Sequence, residues 1–250
     1  MDDDSKSEIK NLLLEKLDKK LNSYESETDY MPFFQAIFNK NQIATASILQ
    51  SFYTSFGMSM YEQIGQIVAI SNGFEAERQY LLLGDIDNNT ENLINKIKRD
   101  LIDGKRTPDL KEEVNLIKNS IQSSKPKQDN DSTIDLFIKN KKGMEYYFDL
   151  KTVKPNKGDF ESFKGRLLRW IGLRLSQSKS ADVHVAIALP YNPYYPKRYV
   201  RFGSDKLFDR SQLLVQDDFW NLIGGKGTFK EIIDIFKQVG KELRTRIDKI

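Results

Sequence analysis

Residues 133–151, Thr133-Ile134-Asp135-Leu136-Phe137-Ile138-Lys139-Asn140-Lys141-Lys142-Gly143-Met144-Glu145-Tyr146-Tyr147-Phe148-Asp149-Leu150-Lys151, read as a β-hairpin. Two alternating runs flank Asn140-Lys141-Lys142-Gly143, which has turn chemistry. Folding about that turn places Asp135 opposite Asp149 and Phe137 opposite Tyr147. Strand side chains alternate, so Asp135, Asp149 and Lys151 share one face. Ile134, Leu136, Ile138, Tyr146, Phe148 and Leu150 line the other. Facing carboxylates repel, and a divalent cation is the simplest reason for a sheet to hold them so. The competing reading is a hairpin with a solvated polar face; two aromatics beside the acids speak against it.

Composition narrows the chemistry. The chain has 250 residues, 39% hydrophobic and 30% charged, with a formal net charge of +3. That describes a folded protein with ample length for a core and only a weak basic bias. There is no cysteine, which excludes disulfides, thiolate nucleophiles and cysteine zinc sites. The single histidine, His184, sits in the apolar run Val183-His184-Val185-Ala186-Ile187 and reads as structural. Serine–histidine–aspartate hydrolysis is thereby set aside. Any metal must take oxygen ligands, which points to Mg²⁺, with Mn²⁺ as a substitute. No stretch approaches a transmembrane span, and Met1-Asp2-Asp3-Asp4 is not a signal peptide, so no membrane partner and a cytoplasmic location are expected.

Along the chain, residues 5–21 read as an amphipathic helix, with Ser5 and Glu8 as a capping box and Ile9, Leu12, Leu13 and Leu17 on one face. Residues 42–70 are helical, apolar around most of the circumference and expected to be central; Glu62 is their one charged residue, either solvated or reaching the acidic site. Residues 80–83 are a strand or a helix end. Helices are expected near 91–102 and 109–121, then a polar linker over 120–132. Beyond the hairpin, Asp159 can cap a helix running to Gln177, with Phe160, Phe163, Leu167, Trp170, Ile171 and Leu175 on its apolar face and Lys164, Arg166, Arg169 and Arg174 elsewhere. Residues 183–189 form an internal strand, so strand, helix and strand imply a mixed sheet. Helices over 217–223 and 228–247 finish the chain, the last with Thr228 and Glu231 as a capping box. Two look-alikes fail: residues 85–89 lack a calcium loop's Gly and Glu (Thr90 and Lys96 stand there), and Gly224-Gly225-Lys226-Gly227-Thr228 has Gly227 where a phosphate loop needs Ser or Thr. The chain reads as one domain over 1–250, helical to about 122, with its catalytic core from about 132.

The spacing of Asp135 from Asp149-Leu150-Lys151 resembles the PD-(D/E)xK nuclease core, with Ile134 where the family name has Pro. Longer blocks resemble the TdeIII family of type II restriction endonucleases. They are Ser55-Phe56-Gly57-Met58-Ser59-Met60-Tyr61-Glu62, Ile134-Asp135-Leu136-Phe137, Tyr147-Phe148-Asp149-Leu150-Lys151-Thr152-Val153-Lys154-Pro155-Asn156, residues 164–170, Ile187-Ala188-Leu189-Pro190-Tyr191-Asn192-Pro193-Tyr194 and residues 219–228. The resemblance implies an α/β (α+β) restriction-endonuclease-like fold, its mixed central sheet flanked by helices. It also implies Mg²⁺-dependent hydrolysis of double-stranded DNA at a short interrupted palindrome of the GGNCC type, leaving 5′-phosphates. Asp135, Asp149 and the Leu150 carbonyl would hold the metal, Lys151 would orient water or phosphate oxygens, and Glu62 would be an extra acid. Lys154, Asn156, Lys157, Lys164, Arg166 and Arg169 are expected on the DNA backbone. Asn192, Tyr194, Lys197, Arg198 and Arg201 are expected near base edges, where Arg and Lys read guanine. A palindrome implies a two-fold homodimer, and a cognate DNA methyltransferase would be a functional, not a physical, partner. The rivals are a structure-specific repair or recombination nuclease of the same fold and a DNA-binding protein with a degenerate core.

Overall fold

The hairpin is present as β2 (Thr133–Lys139) and β3 (Glu145–Leu150) in a computed structural model that describes residues 1–23, 31–122 and 132–247. Asn140 builds the turn: its Oδ1 accepts from the amides of Lys142 at 2.9 Å and Met144 at 3.0 Å. Gly143 supplies a φ of 88° that a side chain would resist. Phe137 pairs with Tyr147 and Leu136 with Phe148, the expected register. β1 (Glu75–Leu81), β4 (Val183–Leu189) and β5 (Leu213–Val215) complete a sheet of order β1-β2-β3-β4-β5. The β1–β2 and β2–β3 pairs are antiparallel and β3–β4 and β4–β5 are parallel, so the sheet is mixed.

The helices, in chain order, are α1 (Asp3–Ser23), α2 (Pro32–Gln35), α3 (Lys40–Ser71), α4 (Asn88–Ile102), α5 (Leu110–Ser120), α6 (Lys157–Gln177), α7 (Asp217–Gly224) and α8 (Thr228–Ile247). Each sheet face has its own apolar core. On one, α4, α5 and α6 pack Ile97, Ile117, Trp170 and Ile171 against Tyr147, Val185 and Ile187. On the other, α1, α3, α7 and α8 pack Ile9, Ile64, Phe219 and Ile235 against Leu136, Ile138, Phe148 and Leu150. α6 carries the chain from β3 to its parallel neighbour β4, and its expected apolar face is buried throughout. Gly84 lets its segment lie close against α6: a Cβ there would stand 2.2 Å from the Leu173 carbonyl oxygen.

Several expectations are corrected. Asp2, not Ser5, opens α1: its Oδ1 accepts from the Ser5 amide at 2.8 Å. Asn156 precedes α6, and Asp159 reaches back to accept from the Asn156 amide at 2.6 Å. Glu231 takes up the Met1 ammonium at 3.0 Å. Ile134 belongs to the core of the α6 face, opposite to Leu136. The alternation breaks at Gln79, whose φ is 51°; Tyr80, paired with Ile134, turns with it and stacks on Phe137 at 4.4 Å. Among the described residues, α3 is central in its second half. It is kinked at Gly57; Met60, Ile64, Val68 and Ala69 beyond the kink are buried, whereas Leu49 before it is exposed. Most of the expected 120–132 linker, residues 123–131, lies outside the described residues.

Candidate active site

At the open end of the hairpin three side chains converge. Lys151 Nζ lies 3.3 Å from Asp135 Oδ2 and ion-pairs with Asp149 Oδ1. Asp135 Oδ2 also accepts from the Leu150 amide at 2.9 Å, which ties the acid of β2 to the backbone of β3. From α6, Arg166 Nη1 meets Asp149 Oδ2 at 3.0 Å, and the Phe163 ring lies 5.6 Å from the Lys151 ammonium. Asp149 is only 2% exposed. Burial, the largest influence, pushes its pKa up to about 6; Lys151 and Arg166 pull it down and Asp135 pushes it further up. The hairpin therefore holds a buried carboxylate that is costly to ionise and surrounds it with positive charge.

Glu62 approaches from α3. It is buried and accepts from Gln79 Nε2 at 2.9 Å. Burial raises its pKa, the Gln79 hydrogen bond opposes that, and the Asp135 charge adds to it. Gln79 stands across from Asp135, between the paired residues Arg78 and Tyr80. Sequence reasoning missed Gln79, because a polar residue in an alternating strand carries no signal of its backbone conformation. Among the described residues no group of three or more acidic or histidine side chains is close enough to hold a metal. The donor set at the hairpin is the two carboxylates of Asp135 and Asp149. Their shared hold on the Lys151 ammonium shows a pair built to keep positive charge between them, and oxygen-only donors suit a hard divalent ion.

Residues 1–240 match the family model described as type II restriction endonuclease, HinfI. The chain belongs to the HinfI family of type II restriction endonucleases. Similar proteins include the type II restriction enzyme HgiCII of Herpetosiphon aurantiacus, 26% identical over 240 residues that cover 93% of this chain and 86% of that protein. HgiEI of the same organism is 28% identical over 231 residues, 90% of this chain and 82% of the relative. The type II restriction enzyme MjaII of Methanocaldococcus jannaschii is 28% identical over 201 residues, 75% of this chain and 53% of the relative. No solved structure matches. The matching model is that of HinfI, so the TdeIII resemblance is upheld as far as type II restriction endonuclease.

The structure sorts the remaining candidates of this HinfI-family chain by their surroundings. Lys154 and Asn156 between β3 and α6, Lys157 at the start of α6, and Lys197 and Arg198 in the loop after β4 are exposed. That loop is stitched to the segment after Lys151: Arg201 Nε donates to the Pro155 carbonyl at 2.7 Å, and Tyr199 donates to the Val153 carbonyl at 3.1 Å. The two exposed cationic segments therefore lie side by side. Arg201 also bonds the Tyr194 hydroxyl at 2.9 Å, and Asn192 binds the Lys197 carbonyl at 2.7 Å and the Tyr194 amide at 2.9 Å, so these three side chains shape the loop. Arg169 ion-pairs with Glu91 of α4.

Lys164 requires a correction. Its ammonium is 0% exposed, where no phosphate can reach it. It donates to both oxygens of buried Glu113, at 2.6 and 2.7 Å, and to Gln212 at 2.9 Å. The signal was present in the sequence: Phe160, Lys164, Leu167, Leu168 and Ile171 share helical spacing, which puts the lysine inside the apolar stripe. His184 is structural as expected, its Nε2 2.8 Å from the Ser211 carbonyl.

Proposed function

We propose that this chain is a type II restriction endonuclease that hydrolyses phosphodiester bonds of double-stranded DNA with the help of Mg²⁺, acting as a single catalytic domain. The observation that carries the reading is the convergence of Asp135, Asp149 and Lys151 at the hairpin's end, in a chain that matches its family over residues 1–240. Asp135, Asp149 and the Leu150 carbonyl are the residues that would hold the metal, with Glu62 within electrostatic reach of Asp135. When bound, the ion would acidify a water and offset charge on the phosphate. Lys151 presents a donor beside both acids and orients the attacking water or a phosphate oxygen. Arg166 adds a planar guanidinium at Asp149, a shape suited to phosphate. Exposed Lys154, Lys157, Lys197 and Arg198 supply backbone and base contacts from two adjoining segments.

The TdeIII-like blocks support a short interrupted palindrome of the GGNCC type as the target and 5′-phosphate ends as the product. A two-fold target is matched by two copies of the chain, and a methyltransferase of the same specificity would protect the host's DNA. The test is to digest a plasmid of known sequence with Mg²⁺ and sequence the ends. Discrete fragments bounded by one palindrome, lost in Asp149→Asn and Lys151→Ala proteins that retain wild-type circular dichroism, are expected. A smear or junction-confined nicking would instead indicate a structure-specific nuclease. Wild-type cleavage by both variants would remove the site assignment.

A further inference from the structure

α2 and the first half of α3 present an apolar surface that nothing in the described chain covers. All eleven residues 32–42 are exposed. Phe33 is 84% exposed and Ile37 74%, and Phe34, Phe38 and Leu49 are exposed as well. Phe34 and Phe38 already stack on one another, with ring centroids 6.5 Å apart, so the side chains form a patch. At about 150–250 Å² for a whole aromatic side chain, these five residues leave roughly 500–600 Å² of apolar surface in water. That stands at the upper end of the ~300–600 Å² found for the largest patch on a monomer. It is also some two-thirds of the ~800 Å² that each partner gives to a standard interface.

We infer that this arm is the surface through which two copies of the chain associate. Between Met31 and Tyr61 the sequence has one charged residue, Lys40, and is rich in Phe and Met. A surface with so little charge offers nothing to DNA phosphates, whose recognition requires many cations. Depletion of charge with enrichment of aromatics and methionine is the make-up of a buried interface core, and the more apolar interfaces are those of homodimers. A patch of Phe and Ile carries no like charges to repel its own copy, so two copies can meet through it across a two-fold axis. The kink at Gly57 joins the arm to the half of α3 that carries Glu62, so the paired surface and the candidate site share one helix. The inference rests on the two-copy reading above for its stoichiometry and supplies the surface that reading lacks.

The test needs neither DNA nor metal. Sedimentation equilibrium of the full chain should give the mass of two chains, and a Phe33→Asp/Ile37→Asp protein with unchanged circular dichroism should sediment as one. Because the chain has no cysteine, an Asn41→Cys protein treated with a short bis-maleimide should become a covalent dimer, whereas Lys141→Cys on the hairpin turn should not. A dimer that survives the double variant, or cross-links equally from Lys141→Cys, overturns the arm but leaves the two-copy reading standing. A wild-type monomer up to about 100 μM, far above the Kd range of stable dimers, overturns both, as does open-ended polymerisation. None of these outcomes bears on whether the hairpin cleaves DNA.

Discussion

Replacing Lys164 with Met should destabilise the fold and leave DNA binding untouched. All three ammonium donors are used, at 2.6, 2.7 and 2.9 Å, on Glu113 and Gln212. Without them the Glu113 carboxylate keeps, among the described residues, only the Gln212 amide at 2.9 Å and stays wholly buried. Breaking a buried pair from one side typically costs about 3–5 kcal/mol. Protonation limits the loss, because burial already raises the Glu113 pKa and Lys164 is what holds it down. The sign follows from linkage. A carboxyl whose folded pKa is raised binds its proton more tightly in the native state, so the penalty is absent below the ordinary glutamate value. It grows by up to ~1.4 kcal/mol per pH unit and is complete above the folded value. Urea denaturation should therefore show a loss of about 3 kcal/mol at pH 8 that shrinks at pH 5. A Glu113→Leu/Lys164→Met protein should recover most of it, since apolar replacement of a buried pair is often neutral. The reasoning is refuted if Lys164→Met stays within ~0.5 kcal/mol of wild type, the range of an ordinary surface change, and lowers the salt dependence of DNA binding.

Lys197 makes the complementary case: Lys197→Ala should weaken DNA binding and reduce the slope of log K against log salt by about 1, with an unchanged urea midpoint. Gly84→Ala would force a Cβ to 2.2 Å from the Leu173 oxygen and 2.6 Å from its Cα, backbone that cannot rotate aside. A loss of about 1–3 kcal/mol in thermal melts is expected, and an unchanged melt would contradict the close approach of this segment to α6. Burial depresses the His184 pKa, with the Ser211 hydrogen bond opposing less strongly. Its contribution to stability is full above about pH 6.5 and lost as pH falls from there through the lower folded value, by at most ~1.4 kcal/mol per pH unit. His184→Gln should remove that part of the acid sensitivity; a wild-type-minus-variant difference that is flat from pH 7 to pH 5 would show the ring protonating equally in both states.

What could be read from the sequence was whatever local periodicity controls. The hairpin's turn, its Phe137–Tyr147 register and the gathering of Asp135, Asp149 and Lys151 all follow from alternation about Asn140 and Gly143. The α6 face and the apolar run of β4 were legible for the same reason. Partners distant in sequence were not. Lys164 has the spacing of a core residue, but nothing local names Glu113, 51 positions earlier, as the acid that makes its burial tolerable. Ile134 follows the alternation on paper and departs from it because Gln79, on another strand, takes a positive φ. The apolar circumference of α3 suggested a central helix, and among the described residues it is Met60, Ile64, Val68 and Ala69 of its second half that join a core. Arg166 was expected on the DNA backbone, and no local pattern announces its ion pair with Asp149, 17 residues earlier on β3.

The sheet order repeats the chain order, and Asp135 and Lys151 are only 16 residues apart. Pairing between sequence neighbours is the kind that forms quickly, so a nascent chain leaving the ribosome can shape its hairpin early. The floor beneath that hairpin arrives late. Phe148 meets the ring of Phe219 edge-on at 5.4 Å, and the Trp220 indole bonds the Pro190 carbonyl at 2.8 Å. α8 then closes over α1, the first helix made, where Lys10 pairs with Glu242 at 2.6 Å. The acids and the lysine are thus synthesised well before the helices that hold them rigid. α7 and α8, which form the floor beneath the hairpin, are among the last elements of the described chain to leave the ribosome.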